Sequence, residues 1–129
     1  MLDTNIISGM MREGPGKLWQ RVERYGVANL CVSVISVCEL RYGADHRGSA
    51  RLHSEISEIL TVIEPVPFAP AAAEVYGRLR QDLTAVGKLI GPNDLFIAAH
   101  ALALDLTLVT DNIREFSRVP DLRVENWLD

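Results

Sequence analysis

Four carboxylates stand where an alternating strand and helix chain could use them together: Asp3, Glu39, Asp94 and Asp111. Asp3 follows the apolar pair Met1-Leu2, and Glu39 lies in the helical stretch after the run NLCVS. Asp94 opens the very apolar stretch NDLFIAAHALAL, and Asp111 directly follows TLVT. In sheets with parallel strands, sites form outside the carboxyl ends of the strands. Each of these acids falls at such an end or at a helix start beside it. Carboxylates brought together there raise one another's pKa. A divalent cation removes that cost, and oxygen-only ligation with retained waters suits Mg²⁺ or Mn²⁺. The chemistry implied is that of a bound divalent cation.

Each acid also has an ordinary use. Asp3 is a good helix N-cap. Ser36 and Glu39 form the S-x-x-E spacing of a capping box, although Ser33 is the better helix start and leaves Glu39 in the second turn. Asn93 reads as the cap of its helix, with Asp94 favouring the helix dipole. Asp111 reads as a cap for the short turn NIREF. The histidines offer no competing zinc site, since His46, His53 and His100 form no H-x-x-x-H pair and join no Cys/His cluster. LDTN has a faint likeness to aspartyl phosphatases, but Asn5 stands where their second aspartate would be. Neither Lys17 nor Lys88 lies at a strand end to serve such a site. A non-catalytic binding module is the other alternative.

The elements that must carry these residues alternate. Helices are expected over 4–12, 17–25, 34–44, 50–62, 69–86 and 93–104. Strands are expected at Leu2 and over 29–33, 62–68, 107–110 and 122–125, with Trp127 packed behind the last. Pro65 and Pro67 cannot donate ladder hydrogen bonds, so that strand is an edge. Leu18, Val22 and Tyr25 should share one inward helix face, as should Leu52, Ile56, Ile59, Leu60 and Ile63. The same periodicity turns Ala72, Val75, Leu79, Leu83 and Val86 inward. The alternation means an α/β fold with a mostly parallel sheet. Ile6, Ile7 and Met10 make one apolar stripe near the start, with Met11 beside it, and Leu18, Trp19 and Val22 make another. One small sheet cannot bury every such face, so part of this surface is expected to be an interface.

The chain has 129 residues, 48% of them hydrophobic, which fits one domain spanning 1–129 around one core. No apolar run reaches the roughly 20 residues of a membrane span, and the start lacks the pattern of a signal peptide. A cytoplasmic location with no membrane partner is expected. Cys31 and Cys38 read as reduced, buried thiols. The net charge of −4 argues against a generally basic nucleic-acid surface. All but two of the 13 basic residues are arginine, and Arg12, Arg21, Arg24, Arg41, Arg47 and Arg51 lie in the first 51 positions. Arginine suits bidentate contact with phosphate and carboxylate.

The blocks MLDTN, VSVISVCELRYGA, IGPNDLFIAAHALALDLTLVTDN and REFSRVPDLRVENW, taken together, resemble a PIN domain. More narrowly they resemble the virulence-associated protein C (VapC) toxins of VapBC toxin–antitoxin systems, over nearly the whole chain. The resemblance implies a three-layer α/β/α sandwich on a mostly parallel sheet of 4–5 strands. It implies a Mg²⁺- or Mn²⁺-dependent endoribonuclease acting on tRNA, rRNA or mRNA. A cognate VapB-type antitoxin would inhibit it, within homodimers and toxin–antitoxin hetero-oligomers that bind operator DNA through the antitoxin. Asp3, Glu39 and Asp94 match the family's first three acids and would hold the metal. The fourth position falls on Asn112, with Asp111 one place early, so either could fill it. Thr4 and Asn5 match the polar pair after the first acid, and Ser36 a hydroxyl position. Family members carry more residues before the first acid than Met1 and Leu2, so the first strand is expected to be short. Trp19 and its neighbours would line the antitoxin's groove, and a separate helical face would build the homodimer.

Overall fold

The centre of the sheet is one residue wide. In the computed structural model, which describes residues 1–128, Leu2 bridges Val32 on one side and Val109 on the other, both in parallel sense. The Leu2 amide donates to the Cys31 carbonyl at 2.8 Å. On the other side the Asp3 amide donates to Val109, and the Val109 amide to Met1, each at 2.8 Å. Around this seam lie β1 (Cys31–Ser33), β2 (Glu64–Val66), β3 (Leu108–Val109) and β4 (Val124–Glu125). β1 pairs with β2 and β3 with β4, again parallel. The order is β2, β1, Leu2, β3, β4, a parallel sheet as the alternation implies, with the four to five strands that the resemblance implies. Among the described residues β2 pairs only with β1, and it carries Pro65, as an edge strand can.

Helices make the crossovers that parallel strands require. They are α1 (Thr4–Glu13), α2 (Lys17–Tyr25), α3 (Val34–His46), α4 (Ala50–Val62), α5 (Pro70–Ala85), α6 (Pro92–Ala103) and the one-turn α7 (Ile113–Phe116). Strand side chains alternate between faces, and the packing follows that alternation. Leu2, Val32 and Val109 join Ile6, Met10, Leu18, Val22 and Ile56 in one buried cluster. Met1 and Leu108 join Leu79, Leu83, Leu95, Ile97 and Phe116 in a second. Helices on both faces give the three-layer sandwich.

Several local expectations change. Residues 27–29 form a 3₁₀ turn, so the strand begins at Cys31. Val86 and Tyr25 are 65% and 55% exposed. Val86 follows the end of α5, and Tyr25 ends α2, where its ring packs on Trp127 at 5.4 Å instead of entering the core. Trp127 itself is buried, as expected. Both cysteines are free, but Cys31 is half-buried and Cys38 exposed, so neither is a core thiol. Ile6, Ile7 and Met10 are fully buried. α1 springs directly from the central strand and lies on the sheet, which makes its apolar stripe core. Leu18 and Val22 are buried with it, leaving Trp19 and Met11 half-buried at the edge.

Candidate active site

Asp3 is the buried member of the site, 3% exposed at the end of the central strand. As N-cap of α1 its Oδ1 accepts from the Thr4 amide at 2.8 Å. Its Oδ2 accepts from the Thr110 hydroxyl at 2.7 Å. Burial pushes its pKa up despite those two bonds, with Glu39 and Asp111 adding to the rise. Asp3 therefore is both a cap and an acidic group held in a place where a proton or a cation is favoured.

Ser33 caps α3, accepting from the Ile35 amide, so Glu39 falls in the second turn as its spacing indicates. Its carboxylate turns back to α1 and across to α6. Oε1 accepts from the Thr4 hydroxyl at 2.6 Å and Oε2 from the Asn93 amide group at 3.3 Å. Asn93 is not the cap of α6. Gly91 is, with Pro92 in the first turn. Pro92 lacks an amide hydrogen and its fixed φ suits the first helical position, and this frees Asn93 to reach Glu39.

Asp94 is held protonated. Burial is the largest cause, followed by a hydrogen bond to Glu115 and repulsion from Glu115, Asp3 and Glu39, and its pKa is pushed up to about 8. Glu115 moves the other way, mainly because the Gly91 amide donates to Oε1 at 2.6 Å. The Asn112 side chain donates to its Oε2 at 2.7 Å. Asp94 thus donates its proton to an ionised Glu115, and the two share one negative charge.

Glu115 is the member that sequence reading missed. It lies in NIREF, read only as a turn. The available signal was its place three residues after Asn112, which one turn of helix brings to the same side. Asn112 is the cap of α7, while Asp111 is exposed and accepts from the Asn5 side chain at 3.0 Å. Capping of that turn by Asp111 is therefore not what forms. Thr110 ties the parts together, since its hydroxyl also accepts from the Asn112 amide at 3.0 Å. Ser36 is fully buried, its hydroxyl without a hydrogen-bond partner among the described residues.

The donor set is carboxylate, amide and hydroxyl oxygen. Excess acidity gathered on Asp3, Glu39, Asp94 and Glu115 is the electrostatic condition that a hard divalent cation relieves, so these residues fit such an ion. As they stand, no three acidic, histidine or cysteine side chains among the described residues are grouped to hold one. Their oxygens are engaged by Thr4, Thr110, Asn93 and the Asp94 proton. The histidines lie elsewhere. His53 sits between Arg41 and Asp45, His46 stacks on Tyr42, and His100 pairs with Ser33.

The PIN domain family model matches residues 1–122. Ribonuclease VapC2 of Haemophilus influenzae is 40% identical, covering 99% of this chain and 97% of its own. The tRNA(fMet)-specific endonuclease VapC of Shigella flexneri is 34% identical over 98% of this chain and 96% of its own. The solved structure of VapBC2 from Rickettsia felis, bound to a DNA fragment from its promoter, superposes with a TM-score of 0.90. It is 37% identical and covers 98% of this chain and 97% of that one. Likeness at this level, end to end, carries more than a shared fold: the chain belongs to the PIN-domain family and, within it, to the VapC ribonucleases of toxin–antitoxin systems.

Proposed function

We propose that this chain, acting as a single domain over 1–129, is a Mg²⁺- or Mn²⁺-dependent endoribonuclease kept in check by a cognate VapB-type antitoxin in the cytoplasm. The observation that carries the reading is the convergence of Asp3, Glu39, Asp94 and Glu115 at the carboxyl edge of the sheet, with Asp94 holding a proton that a cation would displace. Asp3, Asp94 and Glu39 would hold the metal, with Glu115 beside them. Asn112 acts by holding Glu115, and Asp111 contributes negative charge at the rim. A bound divalent ion would acidify a water and neutralise charge on the scissile phosphate.

The protein's own groups supply order. Thr110 and the Thr4 amide fix Asp3, while the Thr4 hydroxyl and Asn93 fix Glu39. Asn112 and the Gly91 amide fix Glu115. Glu115, held ionised, keeps a negative charge beside Asp94. Attack of water in line with the bond to O3′ would leave 5′-phosphate and 3′-hydroxyl ends. Because a Shigella flexneri relative is named a tRNA(fMet)-specific endonuclease, initiator tRNA is the first substrate to test, before rRNA and mRNA.

For the antitoxin, a groove of about 540 Å³ lies along Met10, Met11, Trp19 and Ile59, with Glu23 and Glu58 on its rim. Its apolar floor and acidic rim suit a segment with apolar and basic side chains. The pairing with VapB on promoter DNA in the Rickettsia felis structure supports a toxin–antitoxin hetero-oligomer, built on a toxin homodimer, that meets operator DNA through the antitoxin. No helix among the described residues is long and apolar enough to cross a membrane. The catalytic reading is tested with Asp3→Asn and Glu39→Gln. Each should lower RNA cleavage at least roughly 100-fold while the melting temperature holds or rises, and retained cleavage in both would overturn the assignment.

A further inference from the structure

A second groove, of about 350 Å³, opens directly from the site between α1, α3 and α4. Its walls repeat one pattern. On α1, Thr4, Ser8 and Arg12 stand at i, i+4 and i+8, and Glu39 and Gly43 on α3 keep the same spacing with Arg47, the residue that caps its C-terminus. Such residues line one face of a helix. The two stripes meet at the catalytic end, where the Thr4 hydroxyl donates to Glu39 at 2.6 Å, and each ends in an arginine. Between these ends Gly43 leaves the trough open, since a Cβ built there would meet nothing within 4 Å. Eight residues of helix separate Glu39 from Arg47, roughly 12 Å at 1.5 Å per residue.

The charges in this groove are unequal. Arg51 is paired with Glu55 at 3.3 Å. Arg12 and Arg47 are exposed, and neither side chain makes an ion pair or hydrogen bond among the described residues. Arg12 and Arg47 thus set two unpaired guanidiniums along a trough that leads away from the acidic centre, free to meet an anion. The neighbouring apolar groove shares Met11 and Glu55 with this one but carries acids in place of arginines.

We propose that the groove from Glu39 to Arg12 and Arg47 is the track of the RNA backbone, with the two arginines binding the phosphates beyond the cleaved bond. This rests on the ribonuclease reading. It assigns substrate to the basic groove and leaves the acidic, apolar groove to the protein partner. Occupation of one then blocks the other only where they join at Met11 and Glu55.

The test uses the full chain with Asp94→Asn to stop cleavage, Mg²⁺ present, and a fluorescein-labelled mixed-sequence RNA oligonucleotide. Arg12→Ala with Arg47→Ala should weaken binding about tenfold or more, alike for all sequences. The slope of log affinity against log salt should fall by about 0.7 for each phosphate of the single strand that the protein no longer neutralises. Arg12→Lys with Arg47→Lys should recover most of the salt slope. With Asp94 restored, the alanine pair should raise KM and leave kcat near the parent value. Unchanged affinity, slope and KM in the folded alanine pair, beside RNA cleavage by the parent chain, would overturn the track and leave the ribonuclease reading standing. Absence of cleavage by the parent chain would overturn both.

Discussion

At the scale of single residues, the site is a set of carboxylates whose protons are unevenly placed. Asp94 titrates near 8 in the folded chain, far above the ordinary aspartate value of 3.8. Its proton therefore stabilises the metal-free fold fully below pH about 4, and that contribution is lost as pH rises toward 8. Metal-free protein should lose melting temperature across this window, and Asp94→Asn should flatten the loss while abolishing cleavage. A variant that melts many degrees lower at every pH would mark Asp94 as a structural residue instead. Mg²⁺ binding must release that proton, so Mg²⁺ affinity measured calorimetrically should rise from pH 6 to pH 8. Glu115→Gln, which removes the charge beside Asp94, should cost roughly 100-fold in cleavage rate, and Asn112→Ala, which only loosens Glu115, about tenfold. Equal losses would place Asn112 itself on the metal. Asp3 and Asp94 stood out as candidates because one follows a strand and the other opens a helix, and Glu39 because a carboxylate in a second turn has little use as a cap. Glu115 was not, because its contact with Asp94 crosses from α7 to α6 and depends on a cap at Gly91 that local sequence assigned to Asn93.

At the scale of elements, one buried histidine ties α6 to the end of β1 and the start of α3. His100 on α6 is 1% exposed, its Nδ1 2.8 Å from the Ser33 hydroxyl that also caps α3, and its ring lies edge-on to Phe68. Burial lowers its pKa, so the fold favours the neutral ring. That stability is complete above the unfolded value near 6.5 and is lost as pH falls through the lowered folded value. With Asp94→Asn removing the carboxyl that titrates in the opposite sense, melting temperature should drop from pH 6.5 to pH 5, and adding His100→Asn should remove most of that slope at some cost at neutral pH. A slope unchanged by the substitution would show that other groups govern acid stability. Helix periodicity located α2 and α4 to the residue and the other long helices closely. The strands were harder, since β3 and β4 hold two residues each and the central one is a single residue bridged on both sides. No alternation is readable over so short a run, and the flanking TLVT and Leu2 were informative only through their apolar character.

At the scale of the whole molecule, two grooves of opposite character leave the same face, and the burial of α1 decides what is available to a partner. Once Ile6, Ile7 and Met10 are core, Trp19 and Met11 are the apolar groups left at the groove edge. Trp19→Ala should therefore reduce capture of the antitoxin while cleavage by the free chain is retained, measured by pull-down and assay on one preparation. Unchanged capture would move the antitoxin off this groove. Sequence alone could not separate this surface from core, because an apolar stripe looks the same whether a sheet or a partner covers it. Cutting of RNA by this edge of carboxylates through a divalent cation is tested most directly by cleavage of initiator tRNA by antitoxin-free protein with Mg²⁺ or Mn²⁺, with EDTA, and with EDTA followed by excess metal. Cleavage should give 5′-phosphate ends, stop with chelator and return with metal. Undiminished cleavage in EDTA would contradict a role for the cation.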